Sequence, residues 1–335
     1  MDRKPFNHDR IVTLNCGLGR DSLTMLALVF EEKLYSEKLG GYVTPADLDA
    51  VVFSNTGAEW PHTYALIEQT RRLCKKHGVR FVVLEKGELD KKTDVASWED
   101  IEAKAELGGY HIRPGIMADF ESRATVASLG KGDCTDNHKI QPIRRFISDI
   151  SEVRFGCNNR SYSWKVRKGL RRPHVTIIGI AADETSRLDN GGKGPLYVEE
   201  SYPLVDMGIA KADEAPILER WGLNHVKKSG CFMCPYQPAS WFWALSVTEP
   251  ETYKAVIEYE ATALARNPRM AATGFKAGGK PMTIPEVVEK WRGLNPDATV
   301  EAVLSKEYSR CTKDAKAAQK KELVSASSLL RKKAA

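Results

Sequence analysis

Residues suited to chemistry stand in three places in this 335-residue chain. The first is Gly17-Leu-Gly-Arg-Asp-Ser22, between the apolar, β-branched run Ile11-Val-Thr-Leu14 and Leu23, Met25, Leu26, Leu28, Val29 and Phe30 at helical spacing. A strand, a tight turn and a helix are expected, with Asp21 or Ser22 available as N-cap. Backbone N–H groups at a helix N-terminus, beside glycines that admit close approach, make an anion site. Open α/β sheets bind their ligands at such carboxyl ends of strands. A plain strand-to-helix turn would use the same residues. The stretch lacks the Gly-Lys-Ser/Thr ending of a Walker A loop, and Ser22 stands where the dinucleotide fingerprint needs a third glycine.

The second place is the cysteine set. Seven cysteines argue against a disulfide framework and for thiol, metal or cluster chemistry. Cys231 and Cys234 follow Gly230 in C-x2-C spacing, which suits two ligands of one metal or cluster, or a redox pair. Cys157 lies in an Asn- and Arg-rich stretch where a buried thiol would be unusual, whereas Cys16 and Cys74 read as packing residues. Trp241, Phe242 and Trp243 read as a core cap for the cysteine turn.

The third is an acid-free run containing Arg154, Arg160, Lys165, Arg167, Lys168, Arg171 and Arg172, interleaved with Phe155, Tyr162 and Trp164. Cations that neutralise phosphates, with aromatic rings for bases to stack on, are how single-stranded nucleic acid is held. A solvated basic loop has the same composition. The run stands just before the strand at Val175, and the expectation is that a polymer bound there lies close to the phosphate and sulfur chemistry.

These residues need a frame. Ile11–Leu14, Ala50–Phe53, Phe81–Leu84 and His174–Ile180 read as buried strands, alternating with helical stretches after Asp21, after Pro61 and over Ile140–Ile150. Such alternation implies parallel βαβ units and an α/β fold with flanking helices. Residues 85–132 read as a partly helical insert, and the chain after Trp241 as helical. The expected division is therefore an α/β domain over 1–245, with that insert, and a helical extension over 246–335. Hydrophobic residues at 42%, charged residues at 28% and a mean hydropathy of -0.39 exclude fibrous, wholly disordered and membrane-spanning classes. The start, Met1–Arg10, is charged and lacks the apolar stretch of a signal peptide, so a cytoplasmic protein with no membrane partner is expected. The net charge of +6 resides in residues 306–335, where Lys306, Arg310, Lys313, Lys316, Lys320, Lys321, Arg331, Lys332 and Lys333 face Glu307, Asp314 and Glu322.

Four ordered motifs carry a family resemblance. Gly17–Ser22 resembles the PP-loop, usually Ser-Gly-Gly-x-Asp-Ser, of ATP pyrophosphatases and phosphoadenylylsulfate reductases, the adenine nucleotide alpha hydrolase-like proteins. Phe53-Ser-Asn-Thr-Gly-Ala-Glu59 is similar to the family's Asp-Thr-Gly-x-Glu segment. Ile178-Gly-Ile-Ala-Ala-Asp-Glu-Thr-Ser-Arg187 resembles its third signature, and Gly230-Cys-Phe-Met-Cys-Pro235 its C-x2-C. Gly17 and Leu18 replace the usual Ser-Gly, and Asn55 the usual Asp.

The resemblance implies ATP bound by Asn15, Gly17, Leu18, Gly19, Arg20, Asp21, Ser22, Asn55, Thr56, Gly57, Glu59, Gly179, Asp183 and Glu184. It implies Mg²⁺ on the leaving pyrophosphate and catalytic roles for Asp21, Ser22, Arg187, Cys231 and Cys234. In its reductase branch an iron–sulfur cluster is held by a Cys-Cys pair before Lys-x-x-Pro and by a later C-x2-C. Here Asp133-Cys134 precedes Lys139-Ile-Gln-Pro142, so Cys134, Cys231 and Cys234 remain and Cys157 would complete a [4Fe–4S] set. A catalytic persulfide or disulfide pair, or zinc, is the alternative. The reductase nucleophile motif Glu-Cys-Gly-Leu/Ile-His is replaced by Ser309-Arg-Cys-Thr312. The expected activity is ATP cleavage to AMP and pyrophosphate, adenylating an acceptor for sulfur insertion, as in the ATP pyrophosphatase component of bacterial DNA phosphorothioation systems. Expected partners are nucleic acid, DNA ahead of tRNA, a cysteine desulfurase and other DNA-modification proteins. The alternatives are a phosphoadenylylsulfate or adenylylsulfate reductase-like enzyme, a tRNA thiolation enzyme, and a DNA-associated module that binds nucleotide without hydrolysis. Nucleic-acid contacts are expected from Arg160, Trp164, Lys165, Arg167, Lys168, Arg171 and Arg172.

Overall fold

The computed structural model describes residues 4–87, 93–127, 132–190, 194–273, 275–277 and 280–306. The basic tail beyond 306, with Cys311, lies outside them. In chain order the strands are β1 (Val12–Asn15), β2 (Leu34–Ser36), β3 (Gly41–Val43), β4 (Ala50–Ser54), β5 (Phe81–Leu84), β6 (His174–Ile178), β7 (Val198–Ser201), β8 (Lys276–Ala277) and β9 (Lys280–Pro281). The helices are α1 (Arg20–Phe30), α2 (Pro61–Tyr64), α3 (Ile67–Lys76), α4 (Trp98–Glu106), α5 (Ile116–Ser122), α6 (Asp133–Thr135), α7 (Gln141–Phe155), α8 (Asn159–Arg167), α9 (Pro203–Asp206), α10 (Lys211–Arg220), α11 (Ala239–Thr248), α12 (Pro250–Arg266), α13 (Ile284–Leu294) and α14 (Val300–Leu304). A π-helical turn, Asp136–Ile140, leads into α7, and a 3-10 segment, Ala182–Asn190, follows β6.

The chain divides into two compact units, residues 1–113 with 136–229, and residues 114–135 with 230–335. This differs from the expected boundary at 245. The C-x2-C turn belongs with the helical unit, and the expected insert is shared, its α4 in the first unit and its α5 in the second.

The first unit is α/β, built on an all-parallel sheet in the order β5-β4-β1-β6-β7. Strands covered on both faces read as continuous apolar runs, as β1, β4, β5 and β6 do. Alternation then sorts their side chains. Val12, Leu14, Val51, Phe53, Val83, Val175 and Ile177 pack with residues of α1, while Ile11, Ala50, Val52, Val82 and Leu84 pack with Ile101 of α4 and Phe146 and Ile147 of α7. Leu14 stands opposite Val51 on one side and Ile177 on the other, so β1 is the central strand. The order runs β1, β4, β5 one way and β6, β7 the other. The reversal beside β1 is a topological switch point, where loops diverge and leave a crevice.

The second unit is mainly helical. Trp241, Phe242 and Trp243 of α11 are buried, and Trp243 lies 4.9 Å from the Trp291 ring of α13. Its Glu260 carboxylate accepts the Ala272 and Ile284 N–H groups, each at 2.7 Å. Among the described residues no helix is long and apolar enough to cross a membrane.

Candidate functional site

The turn after β1 is held from three directions. Cys16 N–H donates to the Val52 carbonyl at 2.8 Å, Leu18 is fully buried, and Ser22 Oγ donates to the Gly19 carbonyl at 3.0 Å. Leu18 has φ of 55°, a left-handed conformation uncommon for a side-chain-bearing residue, at the position where the resembled loop carries glycine. A Cβ on Gly19 would lie 2.4 Å from Ser229 Oγ and 3.1 Å from its Cβ, so any larger residue would force the Ser229 side chain to shift. A Cβ on Gly179, just past β6, would press on Asp21 and Ser22 at 3.1 Å. Two glycines thus let β6, the loop and the Ser229 segment converge on the first turn of α1, whose Gly19 N-cap has no side-chain cap. A helix start without a side-chain cap is the kind of element expected from sequence for an anion.

Charge surrounds this turn. Asp21 lies 3.7 Å from Lys211 Nζ and 4.0 Å from Arg187, while Glu184 accepts from Arg187 at 2.7 Å and pairs with Lys211 at 3.5 Å. Arg20 pairs with the buried Glu214 at 3.5 Å. Burial alone would raise the Asp21 carboxyl, but Lys211, Lys228, a hydrogen bond with Glu214 and Arg187 hold it below the ordinary carboxylate range. Asp183 is exposed, and its carboxylate accepts the Lys211 N–H at 3.4 Å, at the start of α10. Lys211, Lys228, Glu214 and Ser229 carry no sequence motif, and sequence reasoning missed them.

The next pocket lies at the ends of β4 and β5. Asn55 Nδ2 donates to Glu85 at 2.6 Å, while its Oδ1 accepts the Gly57 N–H at 2.8 Å and the Tyr64 hydroxyl at 3.0 Å. An amide suits this place because it both donates to a carboxylate and accepts from two donors, which an ionised aspartate could not do. Glu59 is buried, accepts from Thr56 Oγ1 at 3.1 Å and pairs with Lys139 at 3.2 Å. Beside them Lys86 Nζ bonds His111 Nδ1 at 2.8 Å and His138 Nδ1 at 3.0 Å. His111 Nε2 donates to the Leu84 carbonyl at 2.9 Å, so its Nδ1 accepts from the lysine. Burial, then the Lys86 charge, pushes His111 down to about 3. Glu85, Lys86, His111 and His138 were not legible as site residues.

Three buried oxygens at this edge have no hydrogen-bond partner among the described residues: Asn15 Oδ1 after β1, Glu59 Oε2 after β4 and Glu184 Oε1 after β6. Buried acceptors without donors are costly, which makes them fitting contacts for ligand hydroxyls or a hard cation. All expected nucleotide contacts, from Asn15 to Ser22, Asn55 to Glu59, and Gly179, Asp183 and Glu184, lie at or just past the carboxyl ends of β1, β4 and β6.

The cysteines part company. Cys134, Cys231 and Cys234 belong to the helical unit. The Cys234 N–H closes the turn onto the Cys231 carbonyl at 3.1 Å. Cys134 lines a cavity of about 80 Å³ with Phe120, Arg123 and Asp133, and Arg123 bonds Asp119 at 2.9 Å and Asp133 at 3.0 Å. The Tyr259 hydroxyl accepts the Ala127 N–H at 2.9 Å. Burial first, then Cys231 and Cys134, push this phenol up, so both thiols neighbour it. Cys157 instead sits buried with Tyr162 and Tyr197 in the α/β unit, which corrects the expectation of an accessible thiol. Among the described residues no group of three or more His, Cys, Asp or Glu side chains is placed to hold a metal ion. Cys16 is also buried, which pushes its thiol up to about 11, and Cys74 is buried like it.

The basic run lies elsewhere than expected. Arg172 grips the Asp9 carboxylate at 2.7 and 3.0 Å, Arg171 bonds the Asp9 carbonyl and stacks over Phe155, and Arg154 pairs with Asp49. Asp9, Asp49 and His174 precede or open β1, β4 and β6, so this is the amino-terminal edge of the sheet. The phosphate loop is at the opposite edge. Arg160, Trp164, Arg167 and Lys168 are exposed on or just after α8, and Lys165 is half-buried.

No protein-family model matches this chain, and no curated protein matches it.

Proposed function

We propose that the chain is an ATP pyrophosphatase of the PP-loop kind, which adenylates an acceptor oxygen to prepare it for sulfur insertion. The observation that carries the reading is the closely packed glycine turn at the switch point, beside which Arg187 and Lys211 pair with Asp21, Lys228 acts on the same carboxylate, and Arg20 pairs with Glu214. The acceptor oxygen attacks the α-phosphorus, the bond from that phosphorus to the bridging oxygen breaks, and pyrophosphate leaves with the electron pair. If the acceptor is a phosphodiester, its oxygen is already anionic and needs no base. The work of the site is then to hold anions together. The amides and cations do this, with their own positions fixed by Asp21, Glu184 and Glu214.

Mg²⁺, when bound with the nucleotide, would neutralise the leaving pyrophosphate; Asp21 and Glu184, which share Arg187 and Lys211 beside the turn, are the carboxylates suited to it. Nucleic acid is the proposed acceptor, DNA ahead of tRNA, on the resemblance of the four motifs to the pyrophosphatase component of DNA phosphorothioation systems. A persulfide on one of Cys134, Cys231 and Cys234, charged by a cysteine desulfurase, would attack the adenylated phosphorus through its outer sulfur, AMP leaving with the bonding pair. A second of these thiols would then attack the inner sulfur, forming a disulfide and releasing the thiolated product, and a cellular dithiol would reduce the disulfide. The test is pyrophosphate release from ATP with DNA, tRNA or no acceptor. One observation favours a second reading: Asp21, Glu184, Arg187 and Lys211 already pair with one another. Nucleotide binding without pyrophosphate release would select that non-hydrolysing module.

A further inference from the structure

The seven cations and aromatics expected to touch nucleic acid do not act alike, and their partition has a consequence. Arg171 and Arg172 are committed to Asp9. Tyr162 and Val166 face the core, where Tyr162 lies 3.8 Å from His174 and its hydroxyl donates to the Arg172 carbonyl at 3.0 Å. The helix is started by Asn158, which accepts the Arg160 and Ser161 N–H groups. This rotation leaves Arg160, Trp164 and Lys168, at i, i+4 and i+8, in one outward row with Arg167 beside it. Trp164 is 53% exposed, a large surface for an indole to leave in water.

We infer that this α8 row is a single-stranded nucleic-acid grip, separate from the reaction site. The phosphate backbone runs along Arg160, Arg167 and Lys168, and a base stacks on Trp164. Every base has a stackable face, so the grip holds sequence-independently. Its partner is a polyanion with planar groups, because cations alone would serve any acid, whereas the exposed indole between them adds a stacking surface. The row lies at the amino-terminal edge of strands four to five residues long, about 15 Å from the carboxyl edge that carries the phosphate loop. The grip therefore retains the polymer and takes no part in the reaction. It rests on the nucleic-acid half of the proposed function and not on ATP cleavage.

The test is fluorescence anisotropy of a labelled oligothymidylate of about 16 nucleotides on the full chain, without nucleotide, over a salt series. Trp164→Ala weakens binding about tenfold and Trp164→Phe restores most of it. Arg160→Gln/Arg167→Gln/Lys168→Gln lowers the slope of log affinity against log salt by about 2. Arg172→Gln leaves that slope unchanged. The basic tail contributes equally to every variant and cancels, and unchanged circular dichroism melts show that the fold is intact. Equal binding by Trp164→Ala and the parent, or equal competition by polyglutamate and oligothymidylate, overturns the inference. Because no ATP is present, that failure leaves the pyrophosphatase reading standing, and failure of pyrophosphate release leaves the grip standing.

Discussion

Replacing Asn55 by aspartate installs the residue type that the resembled family usually carries, and the structure makes this harmful here. The Asn55 amide donates to Glu85 at 2.6 Å. A carboxylate in its place would lose that bond and set two negative charges against each other in a half-buried pocket. Two charges relaxing to about 4 Å interact by about 4 kcal/mol at an effective dielectric of about 20, and solvent screening reduces the penalty to about 2 kcal/mol. The pair has an escape, since one carboxyl can retain a proton and restore the hydrogen bond. Its folded value then rises above the unfolded range near about pH 4, so Asn55→Asp is close to the parent below about pH 4 and loses stability as pH rises through the raised value. In urea unfolding, the midpoint of the α/β unit falls by about 1 M at about pH 7.5 and by little at about pH 4.5. Glu85→Gln in the same chain restores it at both. A midpoint shift equal at the two pH values, or unrelieved by Glu85→Gln, refutes the argument.

Gly19→Ala abolishes nucleotide binding in calorimetry by driving a Cβ against Ser229, and Ser229→Gly in the same chain recovers part of it. His111 is held neutral by burial and by Lys86, with a folded value of about 3 against 6.5, so it contributes stability that is full above about pH 6.5 and lost as pH falls toward 3. His111→Gln therefore flattens the acid limb of the stability profile measured by thermal melts. Cys231→Ser removes sulfur transfer in a product assay while pyrophosphate release continues, because its thiol belongs to the helical unit and the phosphate loop to the α/β unit.

The strands covered on both faces were legible because Val-Val-Phe and Val-Thr-Ile-Ile runs have few other uses. β7, Val198-Glu-Glu-Ser201, was not, since as an edge strand it carries acids, of which Glu199 meets both Arg10 and Lys38. The β2–β3 hairpin was missed as well, its three-residue strands being too short to show a period. The strand, turn and helix around Gly17–Ser22 were legible because these residues are contiguous. Lys211, Lys228 and Glu85 reach the carboxyl edge only through the fold, and nothing in their local sequence marks them. The basic run was misplaced for a topological reason. Residues just before a parallel strand stand at its amino end, while ligands gather at the carboxyl ends, so Arg171 and Arg172 before β6 face Asp9 and not the loop. Cys157 was misjudged because polar neighbours on a helix connection say little about the ring cluster beneath it.

The measurement closest to the central claim is pyrophosphate release from ATP by anaerobically purified protein, with single-stranded DNA, duplex DNA, tRNA or no acceptor, compared with Asp21→Ala. The account predicts release of AMP and pyrophosphate that one nucleic acid stimulates and that Asp21→Ala eliminates while still folding. Release of ADP and phosphate, or equal pyrophosphate release by Asp21→Ala, contradicts it.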